Sequence, residues 1–241
     1  MVNKLEKYIP AGLFIFSAIY YWALSSKIFT WIYTSGDAGD WLTIHNWWMV
    51  PQCWGKPLYV LLVKFTSLFP GDPVTKITLL SIIAGAAMIM LTYLIAKHMT
   101  KSIKLGLVAA LVILGCNMVL SQATVLEQYT VFGALWLGFF YFYLKDKLLF
   151  AAMFLGMATA VHELGAVFTV LFIVIEFKRI KQLLKYAPVY LLFGALPYIM
   201  IPIMMIADTP KLLAGYLTWD SLSAWTGNTT VTAALALTES H

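Results

Sequence analysis

The segment Thr34-Ser-Gly-Asp-Ala-Gly-Asp40 sets two carboxylates, Asp37 and Asp40, three residues apart beside Gly36 and Gly39. Trp31, Trp41, Trp47 and Trp48 surround it in sequence. Acids in so apolar a setting have displaced pKa values and serve as proton acceptors or charge partners. The same spacing also describes a polar loop whose aspartates cap a helix. Glu127, in Val-Leu-Glu-Gln-Tyr-Thr, is a lone acid at a helix start, where the helix dipole alone would favour it. His162-Glu163 interrupts a long apolar run. Such a pair is expensive unless it reaches water or a partner, and a polar hairpin tip satisfies that as well as a site does. His45 is either a site residue or an interfacial one. Lys56, Lys64 and Lys76 stand near the acids and either hold a phosphate or snorkel to the surface. Asp37, Asp40 and Glu127 have the oxygen ligands a divalent cation takes, yet no ligand spacing demands one, so no metal and no cofactor is assigned.

The elements that position these residues follow from composition. Of 241 residues, 61% are hydrophobic and 11% charged, with a mean hydropathy of +0.83. Soluble domains carry about 25% charged residues. So few charges cannot cover a water-facing surface, and the chain reads as an all-α integral membrane protein, multi-pass. The formal net charge of +5 does not indicate nucleic acid, because the basic residues fall in short clusters between apolar spans. Cys53 and Cys116 are too few for a disulfide framework. No phosphate-binding loop, dinucleotide fingerprint, HExxH or CxxC occurs.

About seven spans are predicted, at Tyr8–Tyr33, Val74–Ala96, Leu105–Gln122, Gln128–Leu144, two short helices within Leu148–Phe177, and Ala187–Ala207. The first also resembles a signal peptide, with Lys4 and Lys7 before it and Ala23-Leu24-Ser25 near its end. An outer-face loop follows it, then a short interfacial or re-entrant helix at about 57–69. Residues 1–207 form one transmembrane domain; 208–241 are an extracytoplasmic tail, the start of a further loop, with Trp219, Trp225 and an Asn228-Thr-Thr sequon.

With the N-terminus cytoplasmic, eleven of the sixteen Lys and Arg fall inside, as the positive-inside rule requires. One long helix over Leu148–Phe177 would instead put Lys178, Arg179, Lys181 and Lys185 outside, so the split at His162-Glu163 is preferred. Asp37, Asp40, Asp72, Glu127, Glu163, Asp208, Asp220 and Glu239 all fall outside. That bias is not demanded by the rule and points to a carboxylate-rich site on the outer face.

At these residues the chain resembles the GT-C membrane glycosyltransferases, in the branch related to protein O-mannosyltransferases. Gly36-Asp37-Ala38-Gly39-Asp40 resembles the acidic motif of their first outer loop. Pro51, Gly55 and Pro57-Leu58-Tyr59 resemble the proline-rich stretch after it. Leu126-Glu127-Gln128-Tyr129-Thr130 and Gly156 to His162 resemble two later elements, all in the same order over about Ile32 to Phe177. Asp40 stands where that family prefers Glu, and the proline-rich stretch is altered and lengthened.

The resemblance implies transfer of a sugar from a polyprenyl-phosphate donor to a hydroxyl of an acceptor protein or glycan on the outer or lumenal face. It makes Asp37 the base and gives Asp40 or Glu127 an orienting role. Lys56, Tyr59, His162 and Glu163 join them as substrate-binding candidates. It places the chain in the plasma membrane, or in the endoplasmic reticulum of a eukaryote. Full-length members have more spans, so a fragment, a short form or half of a complex is implied. Two other classes stay open. A transporter or flippase would use the intramembrane charges as a pathway, although no internal repeat is evident. A non-catalytic subunit of a glycosylation complex would keep the fold without the chemistry.

Overall fold

The computed structural model describes residues 6–28, 41–42, 44–45 and 56–207. Among them the chain is helical throughout, with no strand. In chain order the helices are α1 (Ile9–Ile28), α2 (Pro57–Thr66), α3 (Pro73–Thr100), α4 (Ile103–Leu114), α5 (Asn117–Ala123), α6 (Tyr129–Leu144), α7 (Leu148–Val161), α8 (Leu164–Ile175), α9 (Ile180–Leu184) and α10 (Ala187–Ala207). Asp37, Asp40 and the 208–241 tail lie outside the described residues.

Local chemistry sets the boundaries. Proline at the first position of α3 is preset for a helix start. Before it, the Asp72 carboxylate accepts from the Thr75 N–H at 2.8 Å and from the Thr75 hydroxyl at 2.9 Å. Lys101 ends α3 in the left-handed region, at φ 56. Ser102 then caps α4 by accepting the Leu105 N–H at 3.3 Å. The expected span over Leu105–Gln122 is two helices, α4 and α5, bent by 64°. Gly115 and Cys116 donate back to Leu111 and Ile113, which closes the last turn of α4, and the extended backbone of Cys116 starts α5 in a new direction.

Among the described residues two helices are long and apolar enough to cross a membrane: the first, over Glu6–Ser25, and α3. Counting each bent pair as one crossing, α4 with α5 and 177–184 with 187–201, raises the number to four. α6, α7 and α8 are apolar but shorter, at 16, 14 and 12 residues. Lipid-type surface is plentiful: Ile15, Phe16 and Ile19 on α1 and Val167, Val170 and Val174 on α8 are all exposed.

Ring contacts fix the direction of three helices. Phe142 of α6 meets Phe150 and Phe154 of α7 near one end, and His162 after α7 meets Tyr129 and Phe132 at the other. α7 therefore runs antiparallel to α6. Phe168 of α8 lies against Phe132 and Trp136, while Phe172 lies against Phe139 and Tyr143. α8 therefore runs parallel to α6, and the chain reverses at His162-Glu163. Leu148–Phe177 is a helical hairpin, as the side-sorting argument expects, and not one long helix. The reversal needs Gly165: a Cβ there would sit 2.6 Å from Thr159 Cα.

Ser81 of α3 bonds Glu127 just before α6, and Met88 of α3 meets Gly133. α3 and α6 are thus parallel, and the bundle has two distinct ends. The Arg179 end holds Glu6, Lys97, Lys101, Lys104, Lys145–Lys147 and Lys178–Lys185. There Lys97 pairs with Glu6, and Arg179 pairs with Asp146 at 3.1 Å. The Glu127 end holds Lys56, Asp72, Lys76, Glu127 and Glu163.

Candidate functional site

α2 positions the first half of the site. It is embedded and does not merely rest on a surface: it packs against α3, α7 and α10, with Tyr59, Val60 and Val63 fully buried. These side chains share one core with Trp41, Ile44, Leu126, Phe132, Ala158 and Ile201. Proline at the helix start fixes its entry, and Lys56 immediately precedes it.

Lys56 is a buried cation, 8% exposed. Its ammonium lies 5.4 Å from the centre of the Trp41 ring, a cation–π distance. One of its polar neighbours is Gln128, itself fully buried. Only one amide orientation satisfies both neighbours. In it, Gln128 accepts from Lys56 Nζ at 2.9 Å and donates to Glu127 Oε2 at 3.1 Å. Gln128 thus links a buried ammonium to a carboxylate without direct contact between the charges. Ser81 secures the far side, donating to the Glu127 carbonyl at 3.0 Å.

Tyr59 completes the group. Its ring meets Trp41 edge-on at 4.6 Å. Burial, and after it the negative charge of Glu127, pushes the Tyr59 phenol well above its ordinary range, so it stays neutral. The Tyr59 hydroxyl lies within interaction distance of the Ser81 side chain, while the buried hydroxyls of Thr78 and Thr130 have no hydrogen-bond partner among the described residues. Thr78 precedes Ser81 by one turn and Thr130 follows Gln128 by two residues. Buried polar atoms are ordinarily satisfied, so the open hydroxyls of Thr78 and Thr130 mark positions where a polar ligand or water would bond.

The structure therefore brings together Lys56, Tyr59 and Glu127 of the sequence-derived candidates. His162 stands on the other side of Tyr129, between that ring at 5.4 Å and Phe132 at 5.6 Å. Its Nδ1 accepts the Leu164 N–H at 3.1 Å, which leaves Nε2 to carry the proton of the neutral ring. Glu163 lies 3.7 Å from that Nδ1 with 64% of its side chain exposed, so it belongs to the solvent-facing hairpin tip and not to the buried relay. Lys64 is turned away toward the His45 carbonyl, at 3.4 Å. Among the described residues no three His, Cys, Asp or Glu side chains group as a metal site.

Gln128 and Ser81 were not among the expected site residues. A signal for both exists in the sequence. Thr78 and Ser81 are polar positions one turn apart in an otherwise apolar helix, and Gln128 directly follows the one acid of its loop. The chain matches no protein-family model, no curated protein and no solved structure.

Proposed function

We propose that this chain is a multi-pass membrane glycosyltransferase that moves a sugar from a polyprenyl-phosphate donor to an acceptor hydroxyl. The observation that carries this reading is the buried Lys56–Gln128–Glu127 relay with the Tyr59 phenol beside it. It supplies a desolvated cation for a phosphate and a carboxylate for a sugar or acceptor hydroxyl, at one end of an apolar bundle.

In the proposed reaction Asp37 takes the proton of the acceptor hydroxyl. The freed oxygen forms a bond to the anomeric carbon, and the bond from that carbon to the donor phosphate oxygen breaks with inversion. The lipid phosphate leaves with the electron pair, and Lys56 neutralises the charge it gains. No second acid is required, because phosphate is already a good leaving group. Asp40 or Glu127 orients the acceptor or donor, and neutral Tyr59 donates a hydrogen bond to a sugar oxygen.

The proposed topology places the N-terminus in the cytoplasm and counts seven crossings, including α6, α7 and α8. At the helical rise these three span about 24, 21 and 18 Å, less than the about 30 Å of a hydrocarbon core. Local thinning at the Glu127 end would accommodate them and bring a lipid phosphate close to Lys56. The test is transfer of labelled sugar from a polyprenyl-phosphate hexose by the purified chain, run beside Asp37→Asn. Transfer that vanishes in the variant supports the reading; transfer that persists removes Asp37 from the reaction.

A further inference from the structure

Opposite the proposed site, at the Arg179 end, α6, α7, α8, α9 and α10 line an open cleft of about 110 Å³. Leu148, Ala152, Leu155, Phe172, Ile173 and Leu183 supply most of its apolar wall. An apolar groove of this kind is costly against water and well matched to a hydrocarbon chain.

The residues next to this lining in sequence have the opposite character. Lys147 directly precedes the lining residue Leu148, and Lys181 and Lys185 flank the lining residues Leu183 and Leu184. Lys178 lies just before them, and all four lysines are exposed. None of the four forms an ion pair with a described acid. The described acids at this end are Glu6, Asp146 and Glu176. Glu6 is taken by Lys97, Asp146 by Arg179, and Glu176 lies against Tyr143. Arg179 donates to the Tyr143 hydroxyl at 3.0 Å, and Tyr143 lines the cleft, so the cationic rim and the apolar wall are physically continuous.

An apolar slot under an uncompensated cluster of lysines matches one amphiphile, with a hydrocarbon tail and an anionic head. We propose that the Arg179 end binds an anionic phospholipid, one acyl chain in the cleft and its phosphate held by Lys178, Lys181 and Lys185. Clustered basic residues at a helix end attract acidic lipid in this way. The site is independent of the transferase chemistry at the Glu127 end.

The test uses the full chain, purified and delipidated in a neutral detergent. Phosphatidylglycerol or phosphatidylcholine is added back, and bound lipid is counted by native mass spectrometry beside the thermal unfolding midpoint. The wild type should bind phosphatidylglycerol roughly tenfold or more tighter than phosphatidylcholine. Lys178→Gln with Lys181→Gln and Lys185→Gln should abolish that preference and leave the lipid-free midpoint unchanged, because these side chains are exposed. Ala152→Leu, which fills the cleft, should weaken both lipids. Equal binding of the two lipids, a preference that survives the triple substitution, or displacement by inorganic phosphate at matched concentration would each overturn the proposal.

Discussion

Lys56 and Glu127 do not touch, yet one buried amide joins them: Gln128 accepts from the Lys56 ammonium at 2.9 Å and donates to the Glu127 carboxylate at 3.1 Å. A neutral amide thus bridges an ammonium and a carboxylate. A side-chain amide suits this bridge, because its oxygen accepts from the ammonium while its NH2 donates to the carboxylate.

Gln128→Leu keeps the volume and removes both bonds. It should cost about 1–3 kcal/mol of stability, the usual penalty for leaving buried polar groups without a bonded partner. Thermal and denaturant unfolding in detergent measure it. A loss below the detection limit would show that Gln128 does not join the two groups.

Tyr59→Phe separates stability from function. The Tyr59 hydroxyl is buried and its described polar neighbour is the Ser81 side chain, so its removal should cost no more than about 1 kcal/mol. If the hydroxyl bonds substrate, turnover should fall about tenfold or more in the same variant. Equal turnover in Tyr59→Phe and wild type would leave the phenol with no role.

The same phenol sets a pH dependence. Its pKa is raised on folding, so the neutral form is favoured in the native state. That contribution is complete at neutral pH, below the ordinary tyrosine value of about 10, and is lost as pH rises toward the folded value. Wild type should therefore lose more stability than Tyr59→Phe between neutral and strongly alkaline pH. Parallel curves for the two proteins would contradict this.

Packing at the hairpin should tolerate no side chain at two glycines. A Cβ at Gly156 would meet the Tyr190 carbonyl, and one at Gly165 would meet the Thr159 backbone. Gly156→Val and Gly165→Val should each cost about 1–3 kcal/mol or more. Gly12 has nothing within 4 Å, so Gly12→Ala in α1 is the control and should be neutral or stabilising by up to about 1 kcal/mol. Unfolding midpoints of the three variants distinguish these outcomes.

Side-specific labelling of single cysteines tests the proposed topology. With Cys53 and Cys116 replaced, Glu163→Cys should react from one side of sealed vesicles and Lys178→Cys from the other. Reaction of both from the same side would contradict a crossing by α8.

Much of this architecture is legible in the residues themselves. The helical, apolar character follows from composition. The reversal at His162-Glu163 follows from the need to keep Lys178–Lys185 with the other basic clusters, and the aromatic pairing of α6 with α8 agrees with it. The break at Gly115-Cys116 is hard to read because the run is apolar enough overall to pass as one span, and the bend depends on local bonding of the last turn. α2 was legible as a short helix, but its depth was not: burial of Tyr59 and Val63 comes from α7 and α10, far away in sequence. Glu127 and Lys56 stand out as isolated charges. Gln128 and Ser81 do not, because an uncharged polar residue acquires its meaning only from the neighbours that the fold brings to it.

The central claim is chemical, and release of labelled sugar from a polyprenyl-phosphate hexose tests it most directly. Wild type, Asp37→Asn and Gln128→Leu would be compared as folded, purified proteins. The account predicts release by wild type, none by Asp37→Asn, and a reduced rate with weakened donor binding in Gln128→Leu. No release by folded wild type from any donor in a panel of sugars, or full activity in Asp37→Asn, would contradict it.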